Sequence, residues 1–270
     1  MLRAVLLTLA VCFAGPSAGA PAMDAFDHEH SQLNSLLKAN VKSLKGGQVT
    51  QVDYKKIDRS VLAAYVAGLS AVSRSTYEQF TRDQKLAFLI NTYNANTLLL
   101  IVKNYPVKSI KDLGSFLSSP WKKKIVSLFG ENVSLDDIEH GMIRKDPLFQ
   151  EPRIHFAVNC ASVGCPALMS EAFTAAKLEG MLERSVKNFL GDRKRNRVEG
   201  TTITLSKIFD WYAEDFKKGW KGYSSLQDFL AKYAEALADS PEQVALVRGK
   251  KAALAYSEYN WSLNDVGAEP

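Results

Sequence analysis

Apolar positions recur at helical spacing through most of this chain and alternate only in short runs. Leu33, Leu36, Leu37 and Val41 stand three and four apart, which predicts an amphipathic helix ending before Gly46-Gly47. Val49 to Tyr54 reads as a short extended segment, and Ile57 to Leu69 as a second amphipathic helix. Thr81-Arg82-Asp83-Gln84 has the form of a capping box. The apolar helix it opens runs to Tyr105, because Pro106 would clash with the preceding turn. It is the longest predicted helix and belongs in the core. Lys124 to Phe129 predicts a strand, Gly130-Glu131-Asn132 a turn, and Ser134 the N-cap of a helix with Asp136 and Asp137 in its favourable first turn. Arg153 to Cys160 alternates as a central strand, and Thr174 begins another helix. Thr202 to Leu205 is a short strand, Ser206 caps a helix rich in aromatics, Leu226 to Leu237 adds a helix, and Ala252 to Trp261 gives a final strand. Few strands among many helices predict the α+β class: a helix-rich single domain around a small, mostly antiparallel sheet.

The first twenty residues stand apart from this pattern. Arg3 precedes an apolar run from Ala4 to Ala14, a Gly15-Pro16 break and the small residues Ala18-Gly19-Ala20. That is the layout of a secretory signal cleaved near Ala20, and the run is too short to anchor the chain in a bilayer. The expected location is periplasmic or extracellular. Residues 21 to 30, with His28 and His30, read as a frayed terminus, residues 31 to 262 as the domain, and residues 263 to 270 as a loose tail. Removing the leader takes away Arg3 and no acid, lowering the formal charge from +5 to +4. So mild a bias does not call for nucleic acid, and dinucleotide and phosphate-loop fingerprints are absent. No membrane anchor and no cofactor is expected, and the oligomeric state is left open.

Composition changes the picture most at cysteine. Cys12 leaves with the leader, so Cys160 and Cys165 are the thiols of the mature chain. In an oxidising compartment they suit a disulfide across a short loop; alternatively at least one is a working thiol. Their segment, Arg153 to Pro166, reads as a strand running into a loop of small residues, where reactive groups are commonly presented. Strand alternation puts His155 and Asn159 on one face and Cys160 on the other.

The second candidate stretch follows Ser134. Winding it as an α-helix of about 3.6 residues per turn puts Glu139 in the apolar stripe with Leu135, Ile138, Met142 and Ile143, and His140 at its margin. A carboxylate there needs a partner, either a structural Arg or Lys or an imidazole that it orients. His140 ranks slightly ahead of His155 as the base for Cys160. Asn91 and Asn94, three apart in the core helix, must find partners, in neighbouring loop backbone or in substrate. Ser162 is a further candidate to touch substrate.

Five blocks in order, Leu86 to Ala95, Tyr105 to Ile110, Ser134 to Gly141, His155 to Pro166 and Ser206 to Tyr212, resemble the family catalogued as domain of unknown function 547. The resemblance covers most of residues 30 to 262. That family resembles, at a distance, papain-like and transglutaminase-like thiol enzymes, for which a glutamate, histidine, cysteine triad has been suggested. The resemblance therefore implies a papain-like fold, with Glu139, His140 or His155, and Cys160 in those roles.

Three readings follow. The first is a cysteine hydrolase, a peptidase or amidase acting on a peptide or amide substrate. In it Cys160 attacks a carbonyl, a histidine shuttles the proton, Glu139 orients, and backbone N–H groups of Ala161 to Gly164 form the oxyanion hole. The second is a non-catalytic binding or scaffold domain with a Cys160 to Cys165 disulfide. The third gathers Cys160, Cys165, His140 and His155 around zinc, although C-x4-C is loose spacing for that ion.

Overall fold

The computed structural model describes residues 26–115 and 118–269, and the leader read over residues 1–20 lies outside them. Helix α1 (Ser31–Asn40) leads into the hairpin of β1 (Val41–Leu44) and β2 (Val49–Val52). Helices α2 (Arg59–Ala71) and α3 (Arg74–Glu78) follow, and then α4 (Arg82–Asn104). The capping box opens α4 as its sequence predicts: Thr81 Oγ1 accepts from the N–H of Gln84, and Gln84 Oε1 accepts from the N–H of Thr81. Every residue of α4 from Leu86 to Leu99 is buried.

A second hairpin, β3 (Val126–Leu128) and β4 (Glu131–Val133), is followed by a π-helix over Asp137–Arg144 and a 3-10 helix over Pro152–Phe156. Beyond them lie α5 (Leu178–Gly191), β5 (Arg197–Glu199), β6 (Thr202–Leu205) and α6 (Lys207–Trp211). Then come α7 (Leu226–Lys232), α8 (Ala234–Leu237), α9 (Pro241–Arg248) and β7 (Ala253–Tyr256). The class is α+β, as expected. The strands form three separate sheets of two or three strands rather than one, and β7 joins β6 in parallel while β5 joins it antiparallel. Among the described residues no helix is long and apolar enough to cross a membrane.

Two hydrophobic clusters meet in this fold. One surrounds α4 and holds Ile154, Ala157 and Val158; the other is built on Phe189, Phe209, Phe216 and Phe229 and holds Phe156. The chain from Pro152 to Cys160 thus runs along their seam, buried on every side up to Asn159. That burial is why its apolar pattern reads as a central strand and why the reading is wrong. The Ile154 N–H donates to the Glu151 carbonyl and the Ala157 N–H to that of Ile154, the three-residue spacing of a 3-10 turn, and the Glu151 side chain accepts the N–H of Arg153 and pairs with its guanidinium. Arg153 is 1% exposed and also reaches Glu179 and Glu183.

The described residues of the two ends read as frayed, 26–30 and 263–269, make tertiary contacts. Phe26 packs on Phe80 and Phe88, and His30 is buried with Nδ1 2.6 Å from the Tyr65 hydroxyl. At the other end β7 stops at Tyr256, and the chain after it returns across the molecule. Leu263 donates to Lys108, Val52 donates to Asn264, and the Tyr54 hydroxyl binds the Asn264 side chain at 2.7 Å. Aromatic and amide side chains found their partners through tertiary contacts that local polarity does not reveal.

Candidate active site

A cleft of 270 Å³ opens where the two clusters meet. Glu139, His140, His155, Cys160 and Cys165 all line it. Four of the sequence-predicted site residues, taken from two different segments, are therefore brought together. Tyr93 of α4, Trp211 of α6, and Trp121, Tyr212, Tyr259 and Trp261 complete an aromatic wall.

Cys160 follows the seam segment, and Ala161 after it takes a positive φ of 59°, so the chain turns sharply at the thiol. This turn replaces the strand end that would have separated His155 from Cys160. Two amides hold the segment. Asn94 donates to the carbonyl of Ala157 and accepts the N–H of Asn159, and the Asn159 side chain accepts the N–H of Ala161. Asn91 does the same for Phe173, donating to its carbonyl and accepting its N–H. Both asparagines are buried clamps on loop backbone and lie outside the cleft lining, so of the two partners the sequence allowed them, substrate or loop backbone, the structure shows the backbone.

The loop after Cys160 is pinned by the returning C-terminal segment. Val163 donates to Ser262 and Gly164 to Asn260, while Ala161 is held by Asn159. Three of the four N–H groups expected to form the oxyanion hole over Ala161 to Gly164, those of Ala161, Val163 and Gly164, are thus engaged within the chain. A Cβ on Gly164 would stand 3.0 Å from the Asn260 backbone and 3.1 Å from the Tyr259 ring, so glycine permits this close approach.

The thiols of Cys160 and Cys165 are free, with Sγ atoms 2.8 Å apart, and the N–H of Cys160 donates to Cys165 Sγ at 2.9 Å. Ser162 Oγ and Tyr259 Oη each lie 3.1 Å from Cys160 Sγ and 2.9 Å from each other. Ser162 is buried and supports the thiol rather than facing substrate. Burial pushes the Cys160 thiol up, but hydrogen bonds from Cys165, Ser162 and Tyr259 outweigh it and leave the thiol below its ordinary value. Burial and the neighbouring Cys160 push Cys165 well up. Of the two thiols, Cys160 is thus the more acidic.

The histidines divide differently from the sequence ranking. His140 receives Arg144 Nη1 on Nδ1 at 2.7 Å and turns Nε2 toward Asp136 at 3.4 Å, so both of its nitrogens are engaged. His155 is buried, stacked on Tyr212 with ring centres 3.8 Å apart, and donates from Nε2 to Asp215 at 2.8 Å. Asp215 also holds Arg144 and Lys218, and these partners overcome burial to keep its carboxyl far below the usual range. A carboxylate only accepts, so the Asp215 bond fixes the tautomer and leaves the Nδ1 lone pair of His155 without a partner. Burial pulls the His155 imidazole down, against Asp215 and Glu139.

Glu139 is buried 4.0 Å from that Nδ1 and takes a hydrogen bond from Tyr212. The imidazole's orienter is therefore Asp215, a residue the sequence analysis missed. Its segment, Ala213–Lys217, carries charged and aromatic residues with no motif, and only folding places Asp215 against His155. Tyr259 was missed for the same reason, inside a stretch read as strand. The four residues of the zinc reading do not converge, because His140 is held by Arg144 and Asp136 and His155 by Asp215.

No curated protein and no solved structure matches this chain. The matched family segment contains Glu139, His140, His155, Cys160 and Cys165, while Asp215, Tyr259, Trp211 and Trp261 lie beyond it. Residues 77–190 match the model of the family described as Protein of unknown function, DUF547.

Proposed function

We propose that this chain is a cysteine-dependent hydrolase acting on a peptide or another amide, in the periplasm or outside the cell. The observation that carries the reading is the opening onto one cleft of an acidified thiol, Cys160, and a tautomer-fixed imidazole, His155. A thiolate is a strong nucleophile, and an imidazole with a free lone pair is the proton carrier that amide cleavage needs. His155 makes no hydrogen bond to the thiol, so the Cys160 proton crosses the cleft through water to Nδ1. The thiolate then attacks the carbonyl. His155, steadied by Asp215 and the nearby Glu139 carboxylate, returns the proton to the leaving amine. Water attacks the resulting thioester with His155 as base. The Tyr259 hydroxyl, released once the thiolate is consumed, is the donor available to the developing oxyanion.

Turnover of a mixed peptide library by the reduced protein, read by mass spectrometry, tests this. Cys160→Ser should keep the fold and lose cleavage. Retained cleavage in that variant would sink the reading.

The 2.8 Å approach of the two sulfurs favours a second reading, a binding or scaffold domain closed by a Cys160 to Cys165 disulfide. An intact mass measured without reductant separates the two. A chain lighter by two hydrogens, with no cleavage after reduction, supports the scaffold.

A further inference from the structure

The cleft's charge opposes that of the whole chain. The protein carries 34 Lys and Arg against 29 Asp and Glu, yet among the described residues lining the cleft the charged side chains are Asp136 and Glu139. Two cations pack against its aromatic wall without lining it: Arg144 lies over Tyr212 and is bonded to Asp215, and Lys111 lies 4.0 Å from the centre of Trp261. The cleft itself presents acceptors. His155 lies beside them, its buried Nδ1 without a hydrogen-bond partner and 4.0 Å from Glu139.

The wall adds a second preference. Trp211 is 45% exposed, stacks on Trp261 at 27° between planes, and packs against Tyr259, whose hydroxyl reaches the Cys160 thiol. Exposed indole faces attract cations through the ring quadrupole, and the alkyl stem of a cationic side chain gains by covering them. Two carboxylates and an indole shelf in a half-enclosed space therefore favour the same class of ligand.

We propose that the cleft selects a cationic substrate, one carrying an alkylammonium or guanidinium group close to the carbonyl it presents to Cys160. The inference rests on the nucleophile reading above. Asp136 and the Trp211 face hold the cation, and Nδ1 of His155 stays free for the reacting proton.

Three haloacetyl reagents of different charge probe it without a known substrate. Bromoacetylcholine is cationic, bromoacetamide neutral and bromoacetate anionic; each forms a thioether as the thiolate displaces bromide. Rates at Cys160 of the reduced full chain are measured by peptide mapping and divided by the rate with a small free thiol. The cationic reagent should be favoured over the anionic one by about tenfold at low salt. Asp136→Asn and 0.5 M salt, the latter needing no mutation, should each shrink the ratio. Equal corrected rates for all three, with rapid bromoacetamide labelling, would overturn the cation preference and leave the nucleophile standing. No labelling of Cys160 by any reagent would overturn both.

Discussion

Nε2 of His155 donates to Oδ2 of Asp215 across 2.8 Å, joining residues sixty positions apart in the chain. The bond does three things at once: it fixes the imidazole tautomer, gives the Asp215 carboxylate one of its three partners, and ties the seam segment to the short helix after α6. Replacing Asp215 with Ala should lower turnover more than it lowers substrate affinity, because it removes orientation and not a contact with substrate. It should also cost about 3 kcal/mol of stability, since His155 and Arg144 lose a buried partner. Urea denaturation of the variant checks the second effect, and a kcat against KM split checks the first.

The same carboxylate makes stability acid-sensitive. Its folded pKa is held far below the unfolded value of about 3.9, so its contribution is complete above that value and is lost as pH falls below it. Between pH 5 and 2, Tm should fall more steeply for the parent protein than for Asp215→Asn.

His30 predicts a second pH effect at milder acidity. Burial pulls it down to about 4, against an unfolded value of about 6.5. Between those values the unfolded chain binds the extra proton, so stability is full above about pH 6.5 and declines as pH falls toward 4. His30→Gln should flatten that part of a Tm against pH curve, and an unchanged slope would assign it to other groups.

Tyr259 should tune the thiol. Removing its hydroxyl with Tyr259→Phe deletes one of the hydrogen bonds that lower the Cys160 pKa, so the pH midpoint for iodoacetamide labelling should move up. Gly164→Ala should move it in the same direction by displacing Tyr259 from below, at a folding cost of about 1 to 3 kcal/mol.

Asn94→Leu should be among the most damaging changes outside the cleft. It orphans the N–H of Asn159 and the carbonyl of Ala157, both buried, at about 2 to 4 kcal/mol in total. Where the variant still folds, slower labelling of Cys160 would show that the clamp also positions the thiol.

Local rules determined a good deal of this protein without help from the fold. The capping box at Thr81, the core helix that follows it, strand β3 and the Ser206 cap depend on neighbours within a few positions, and sequence displays those neighbours directly. Candidate chemistry was also legible, because acids, imidazoles and thiols are few and a carboxylate among apolar positions needs a reason: Glu139, His140, His155 and Cys160 all reached one cleft. Tertiary structure decided the rest. Arg153, His155 and Asn159 find buried partners and so gave a 3-10 helical segment the polar-apolar alternation of a strand, and the turn over Pro152–Phe156 changes which side chains share a face. Which histidine keeps a free lone pair depends on Arg144 and Asp215, and which hydroxyls touch the thiol depends on Tyr259, ninety-nine residues on. Hydrogen bonds between residues so far apart leave no spacing in the sequence, because only the packing of the two hydrophobic clusters brings their partners within reach.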